Sequence, residues 1–371
     1  MKSAKILVIG GGIGGLTAAI ALRRKGFDVE IIEKDPAWKV YGVGIIQPSN
    51  VVRAMDELGL LDHYLSAAFG FDFVEVYLPD GRLVARIPSP KLIEGRPANL
   101  GISRPALHKV LGDHAIARGA RVRLGVTALA LEDDGQSVAV KFSDGSSGKY
   151  DCVVGADGVH SNTRRMVLPS EPQPEFTGQS VWRYNFQRPP EVDCLRAFEG
   201  HIGVGLVPLS QTMMYMFVTT PEPDNPRYPQ AGLAAAMRSK LSAAAPDIAA
   251  LVPQITDDGA VVYKPEECIF IDGDWYRGRI VFVGDAVHAT TPHLGQGAGM
   301  AIEDGIVLAE ELARCGSPDE AFRAYQLRRF ERCQFTVRLS RSICDGQLGK
   351  RERVDSAKAA MEVFKVMAQP I

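Results

Sequence analysis

A chain of 371 residues exceeds the usual size of a single hydrophobic core, so a large domain joined to a smaller one, with a cleft between them, is the natural arrangement. Hydrophobic content of 46% with 23% charged residues excludes a disordered chain. A formal net charge of -2 and a pI near 6.4 supply no basic field for a polyanion, which argues against nucleic acid and for a small-molecule partner.

The first element is a short β-branched run, Lys5 to Ile9, which reads as a buried parallel strand. It enters Gly10-Gly11-Gly12-Ile13-Gly14-Gly15, a G-x-G-x-x-G turn in its required place. Leu16 to Lys25 show helical spacing, with Gly26 as the stop. Gly10 permits the tight turn, Gly12 and Gly14 let a pyrophosphate approach the backbone, and Gly15 allows close helix packing. A second strand, Asp28 to Ile32, ends at Glu33, the distance at which an acid accepts from a ribose; Lys34 beside it is assigned to the same site. Glu33 would repel a 2′-phosphate, so NADP does not suit this fingerprint, while FAD and NAD both do. The apolar stretch Ile6 to Leu22 carries five glycines and is too short for a membrane span, so no integral membrane association is expected.

Farther along, Phe73 to Leu78 alternates before the turn Pro79-Asp80-Gly81-Arg82, and an insertion from about 70 to 102 adds strands to a second lobe. Tyr150 to Arg165 read as a buried strand running into a loop with Asp157-Gly158 at its turn. Ser180 to Phe186 and Met213 to Val218 alternate as strands of an antiparallel sheet, and 221–253 is helix-like with a packing role. Arg279 to Asp304 carry a strand that delivers Asp285, after which Gly295, Gly297, Ala298 and Gly299 bring bare amides to a helix start. Such amides suit the flavin pyrimidine edge, which gathers negative charge on reduction. The six cysteines form no Cys-x-x-Cys pair, so neither a metal site nor a disulfide framework is expected and the cytoplasm is the default compartment.

These segments together resemble the single-component FAD-dependent aromatic hydroxylases, the flavoprotein monooxygenases that include para-hydroxybenzoate, salicylate and urate hydroxylases. The resemblance spans nearly the whole chain and extends to Tyr325, Arg329 and Arg332 on a final helix. It implies an α/β fold: a Rossmann-like FAD-binding domain with a C-terminal helix (1–70, 101–175 and 275–371) and a discontinuous antiparallel-sheet substrate domain (71–100 and 176–274). It implies that Glu33 holds adenosine ribose and Asp285 holds ribitol. Asp157 would lie near the diphosphate, Arg104 would reach the flavin, and a backbone group near Ala128 would meet adenine. Gly44 belongs to a loop resembling the family's flavin edge, although Ser49 stands before Asn50 where proline is usual. The alternative for Asp157 is a turn-forming Asp-Gly pair alone, and for Arg104 a solvated helix start; the site roles are preferred for both.

The implied chemistry is reduction of FAD by NADH or NADPH, formation of a flavin C4a-hydroperoxide with molecular oxygen, and hydroxylation of an aromatic or heteroaromatic small molecule. A base near the flavin would deprotonate a phenol-like substrate. Tyr215, His288, His293 and His201 are candidates. His293 is favoured over His201 because it follows Pro292, whose family counterpart borders the reacting ring, and His288 serves equally well to hold its loop. Arg183 could meet a substrate carboxylate or be an exposed strand arginine. Gly203 stands where urate-type enzymes carry a substrate-binding arginine, which counts against urate. Two other functions stay open on this scaffold: a flavin oxidase or reductase, and a non-catalytic flavin redox sensor. The reductant, the assembly (a homodimer among the options) and the substrate are not readable.

Overall fold

The computed structural model describes residues 4–200 and 202–371. Its central element is a six-stranded sheet in the order Tyr276–Arg277, Ile280–Phe282, Cys152–Gly155, Lys5–Ile9, Asp28–Glu33, Arg121–Leu124. All neighbours run parallel except the hairpin of Tyr276–Arg277 with Ile280–Phe282. The apolar run Ile6–Ile9 is buried on both faces, as a central parallel strand requires. The chain leaves this strand toward Asp28–Glu33 on one side and Cys152–Gly155 on the other. A crevice therefore opens at the carboxyl ends of the strands, where the order reverses.

Two helices cover that crevice from one side, Ile13–Arg24 and Gly297–Arg314. Their backbones approach so closely at Gly305 that a Cβ there would lie 2.7 Å from the Ala18 amide nitrogen. The long helix Pro318–Gln347 packs behind them.

The second large sheet has seven strands, in the order Val262–Cys268, Glu175–Gln187, Met213–Pro221, Gly203–Pro208, Leu195–Phe198, Phe73–Tyr77, Leu83–Pro88. Its pairings are antiparallel apart from Leu195–Phe198 with Phe73–Tyr77. The two-residue period of a strand sorts its side chains cleanly. Trp182, Tyr184, Met214, Met216 and Val218 join a core closed by Leu233, Met237, Leu241 and Ile248 from the 233–254 helices. Their alternates Val181, Arg183, Tyr215, Phe217 and Thr219 turn the other way and line a cavity.

Two three-stranded sheets complete the fold. Ala128–Asp133, Val138–Phe142 and Ser147–Tyr150 form one, and Gly44–Gln47, Asn99–Ser103 and Phe69–Phe71 the other. A last helix, Ser356–Met367, folds back beside the long one. Its carboxyl end is held by arginines: Arg53 donates to the Met367 and Ala368 carbonyls at 2.9 and 3.0 Å, and Arg332 to Gln369 and Pro370. Cations at a helix C-terminus complement its dipole. Among the described residues no helix is long and apolar enough to cross a membrane.

Candidate active site

The crevice and the cavity-facing side of the seven-stranded sheet share one cavity of about 1570 Å³. That exceeds the roughly 300–1,000 Å³ of an ordinary small-molecule pocket, so two ligands can share it. Its walls run from Gly12 and Gly14 through Arg104, Gly158, Asp285, Gly295, Gly297 and Ala298 to Arg183, Tyr215, Pro292 and His293.

At the crevice end, the glycine turn is as close as its sequence requires. Gly10 has φ +111°, and a Cβ on Gly15 would lie 1.9 Å from the Gly10 carbonyl oxygen. Gly12 instead faces open space, with nothing within 4 Å of an added Cβ, so a ligand can approach its backbone and the first amides of Ile13–Arg24. Glu33 accepts from the Gly11 and Asp35 amides at 2.8 and 2.9 Å and ties the turn to the second strand. Trp38 closes this corner in a left-handed conformation, φ 48°, its indole donating to the Gly11 carbonyl at 2.9 Å. His108 meets the same carbonyl at 3.0 Å.

Asp285 is the best observation for a polyol ligand. It follows strand Ile280–Phe282 at the cavity wall, where its side chain is exposed to the cavity and makes no hydrogen bond among the described residues. Burial raises its carboxyl above the usual range, against the pull of His288 and Arg104. Arg104, held at the start of helix Arg104–Ala117 by its Ser103 N-cap, likewise has no hydrogen-bonded side-chain partner. Burial and the neighbouring Arg183 charge push it down to about 10. A carboxylate, a guanidinium and a bare-backbone turn, all free toward one cavity, fit a flavin dinucleotide.

The loop between these groups is braced from behind. Asn50 and Gln296 exchange side-chain hydrogen bonds at 3.1 and 3.2 Å, and Asn50 also donates to Glu303 at 3.1 Å. Glu303 accepts from Arg329 at 2.6 Å and Arg332 at 3.1 Å. Asp304 accepts from Arg329 at 2.8 Å and from the Gly284 amide at 2.8 Å, and meets His288 at 2.6 Å. Burial opposes ionisation of Asp304, but His288 and Arg329 hold its carboxyl at about 2. Burial likewise opposes a charged His288, which Cys333 and Asp304 nevertheless raise well above the usual imidazole range. His288 therefore holds the loop from outside the cavity wall.

At the far end, Tyr215 packs edge-on against Gly44, where an added Cβ would lie 2.3 Å from its ring. Its hydroxyl has no hydrogen-bond partner among the described residues, and burial raises its pKa while Arg183 and Arg104 oppose. Arg183 faces the cavity without a hydrogen bond. His293 Nε2 lies 3.0 Å from Gln347 Oε1, which also accepts from Gln179 at 2.9 Å, so Nε2 carries the proton. Burial pushes His293 down to about 4, leaving it neutral with a bare, buried Nδ1. Gly203 faces Thr219, where a Cβ would meet Oγ1 at 2.7 Å.

The structure does not bring every predicted residue to the cavity. Ala128 is buried in the core opposite Phe142, and Lys34 points to solvent. Asp157 spends its carboxylate within its own loop, accepting from Ser161 Oγ and from the Thr163 amide and hydroxyl at 3.0 and 2.9 Å; its neighbours Ala156 and Gly158 form the wall instead. Gly299 is packed beneath Val51 and Asn50. His201 lies outside the described residues.

A buried acid of the cavity wall was not found from sequence. Glu266, in strand Val262–Cys268, is 4% exposed, and neither carboxyl oxygen has a partner among the described residues. Burial pushes it up to about 8, with Arg183 opposing. It lies beside His293 and Cys344, their ligand atoms within 4.8 Å of one another. In sequence it is one charge in Lys-Pro-Glu-Glu and carries no signal of burial.

Comparison with known proteins bears on these walls. The sequence matches the FAD binding domain family over residues 3–340. It is 30% identical to a putative FAD-dependent monooxygenase, YetM, of Bacillus subtilis, over 96% of this chain and 98% of that one. It is 31% identical to 2-heptyl-3-hydroxy-4(1H)-quinolone synthase of Pseudomonas aeruginosa, over 94% and 90%. Klebsiella pneumoniae HpxO, solved in complex with FAD and uric acid, superposes with a TM-score of 0.85 at 27% identity, covering 99% of this chain and 93% of that one.

Proposed function

The chain belongs to the FAD binding domain family and is an FAD-dependent monooxygenase of the aromatic hydroxylase type; from that premise we propose that it uses NADH or NADPH to hydroxylate a nitrogen heteroaromatic ring. The observation that carries this reading is the single cavity joining Gly12 and Asp285 to Arg183 and Tyr215. FAD, when bound and reduced, supplies the activation of molecular oxygen. The protein's own contribution is placement. Asp285 accepts from a ribitol hydroxyl, the amides at the start of Gly297–Arg314 face the electron-rich edge of the ring system, and Arg104 offsets its charge.

On the substrate side, Arg183 donates to an anionic or carbonyl oxygen and the Tyr215 hydroxyl bonds the substrate beside it. Pro292 and Leu294 exclude water from the reacting face. In this reading the FAD-binding domain comprises 1–70, 101–175 and 275–371. The substrate walls are drawn from 71–100 and 176–274, with the last helix added to them. The quinolone and the uric acid named for the relatives are both nitrogen heterocycles, which supports that ring class. A cytoplasmic setting fits six free cysteines.

The test is to measure NADH and NADPH oxidation by the purified yellow protein against phenols, hydroxybenzoates, hydroxypyridines and quinolones, with product masses. A product heavier by one oxygen atom is expected from a heteroaromatic member. Reductant consumed with every ring unchanged in mass would overturn the proposal.

A further inference from the structure

Three groups of histidine, cysteine and carboxylate side chains come together among the described residues, with their donor atoms within 4.8 Å of one another. Two of them are already bonded internally. His288, Asp304 and Cys333 belong to the Arg329 network behind the Gln296–Gly299 loop, and Glu75, beside Asp193 and Cys194, accepts from Arg86 at 3.1 Å and from Tyr77 at 2.7 Å. The third group, Glu266, His293 and Cys344, is different. Both Glu266 oxygens and His293 Nδ1 are buried with no hydrogen-bond partner among the described residues. Cys344 Sγ donates weakly to Gln179 Oε1 at 3.6 Å.

The surroundings hold these atoms in the form a metal ion needs. His293 gives its Nε2 proton to Gln347 Oε1 at 3.0 Å, so Nδ1 keeps a free lone pair beside Glu266 and Cys344. Gln347 is fixed in turn by the Gln179 amide at 2.9 Å. A bond from the far ring nitrogen is how a ligating imidazole is oriented. A thiolate, an imidazole and a carboxylate are the donor set of Zn2+ and similar borderline cations, whereas Mg2+ and Ca2+ take oxygen alone. Around a tetrahedral Zn2+ such donors stand about 3.3–3.7 Å apart, so modest side-chain rotation closes the cluster on one ion. With Glu266 and Cys344 both anionic, a doubly charged ion leaves the buried site neutral, and the thiol proton passes to water on binding.

We propose that Glu266, His293 and Cys344 form a binding site for one borderline divalent cation of the Zn2+ class, at the substrate end of the cavity that Glu266 and His293 line. The expectation of no metal site rested on the absence of a Cys-x-x-Cys pair; here the ligands stand at 266, 293 and 344, and only the fold gathers them. They come from strand Val262–Cys268, the short turn Pro292–Leu294 and helix Pro318–Gln347. The ion therefore ties the seven-stranded sheet to the loop that leads into Gln296–Gly299 and to the long helix behind it. Its effect is on the rigidity of the substrate walls.

The experiment takes the FAD-loaded protein, strips it with a chelator, and titrates it with ZnCl2 and, separately, CoCl2. Chelator treatment also leaves Glu266 free to titrate on its own. Elemental analysis of the washed protein is expected to find one ion per chain, with a raised melting temperature and unchanged FAD content. Co2+ should give the d–d bands of a tetrahedral thiolate site, read at wavelengths longer than oxidised flavin absorbs. Cys344→Ala and Glu266→Gln should each abolish those bands and stoichiometric uptake. Gln347→Ala, which frees the His293 ring, should weaken Zn2+ binding about ten- to a hundredfold. Cys268→Ser and Cys333→Ser should take up the ion as wild type does. No uptake by the wild-type chain, Co2+ bound without thiolate, uptake that persists in Cys344→Ala, or uptake that follows Cys268 or Cys333 overturns the proposal.

Discussion

The two sides of the Gln296–Gly299 loop treat charge in opposite ways. Behind it, Glu303, Asp304, Arg329 and Arg332 are each bonded to at least two partners. In front, Asp285, exposed to the cavity, the half-buried Arg104 and Arg183, the Tyr215 hydroxyl and the sealed Glu266 line the same cavity with no hydrogen-bonded side-chain partner among the described residues. Glu266, sealed with neither oxygen paired, carries the free-energy cost of burying an unpartnered carboxyl, while the others turn unpaired groups toward the open cavity where a ligand can meet them. The rear set is scaffold, and the front set is held for ligands.

The sharpest way to break this contrast is at the rear. Arg329→Ala removes the buried cation that Glu303 and Asp304 share, and urea denaturation should show a loss of about 3–5 kcal/mol. A loss below about 1 kcal/mol would mean that the network is not what braces the loop.

Next is the pH dependence of the front set. Glu266 has a folded pKa of about 8 against an ordinary 4.5, so between those values the folded state binds more protons than the unfolded one. Its contribution to stability therefore falls as pH rises through that window. Glu266→Gln should make the fall shallower by about 3–4 kcal/mol between pH 5 and 8. The part due to His288, also raised, begins to be lost above the ordinary imidazole range and should survive the substitution. Asp304 contributes stability that is lost only as pH drops toward about 2. An unchanged slope in Glu266→Gln would show that this carboxyl is paired in solution.

Asp285→Ala should weaken FAD retention by about ten- to a hundredfold, or about 1.5–3 kcal/mol, while leaving the FAD-free protein as stable or more so. Flavin fluorescence and thermal melting of the two forms check both halves, and unchanged FAD affinity would remove Asp285 from the cofactor site. The smallest contrast compares two tyrosines. Tyr325 donates to the Phe282 carbonyl at 3.1 Å inside the core, so Tyr325→Phe should cost about 1 kcal/mol. Tyr215→Phe, which deletes an unpartnered hydroxyl, should stay within about 0.5 kcal/mol of wild type. Equal losses would place both hydroxyls in scaffold roles.

Much of the scaffold was legible because its signals are local. Strand Lys5–Ile9, its glycine turn and the following helix stop at Gly26, φ +92°, lie where apolar run, glycine spacing and breaker put them. The alternation of Ser180–Phe186 and Met213–Val218 predicted strands, and their pairing is direct, Arg183 opposite Phe217 and Asn185 opposite Tyr215. Glu266 was not legible. Only the pairing of strand Val262–Cys268 with Glu175–Gln187, placing Pro265 opposite Ser180, turns that carboxyl inward. Asp157 shows the reverse: an Asp-Gly turn and a phosphate-site acid look alike in sequence, and hydrogen bonds to Ser161 and Thr163 are what distinguish them.

Trp38 has an optical consequence. The chain contains 3 tryptophans; Trp182 and Trp275 are sealed at 0% exposure, and Trp38 alone leans on the dinucleotide turn through Gly11. Light emitted by that indole falls where oxidised flavin absorbs, so loading of the crevice dims its emission. The protein carries its own gauge of cofactor occupancy, readable without a label.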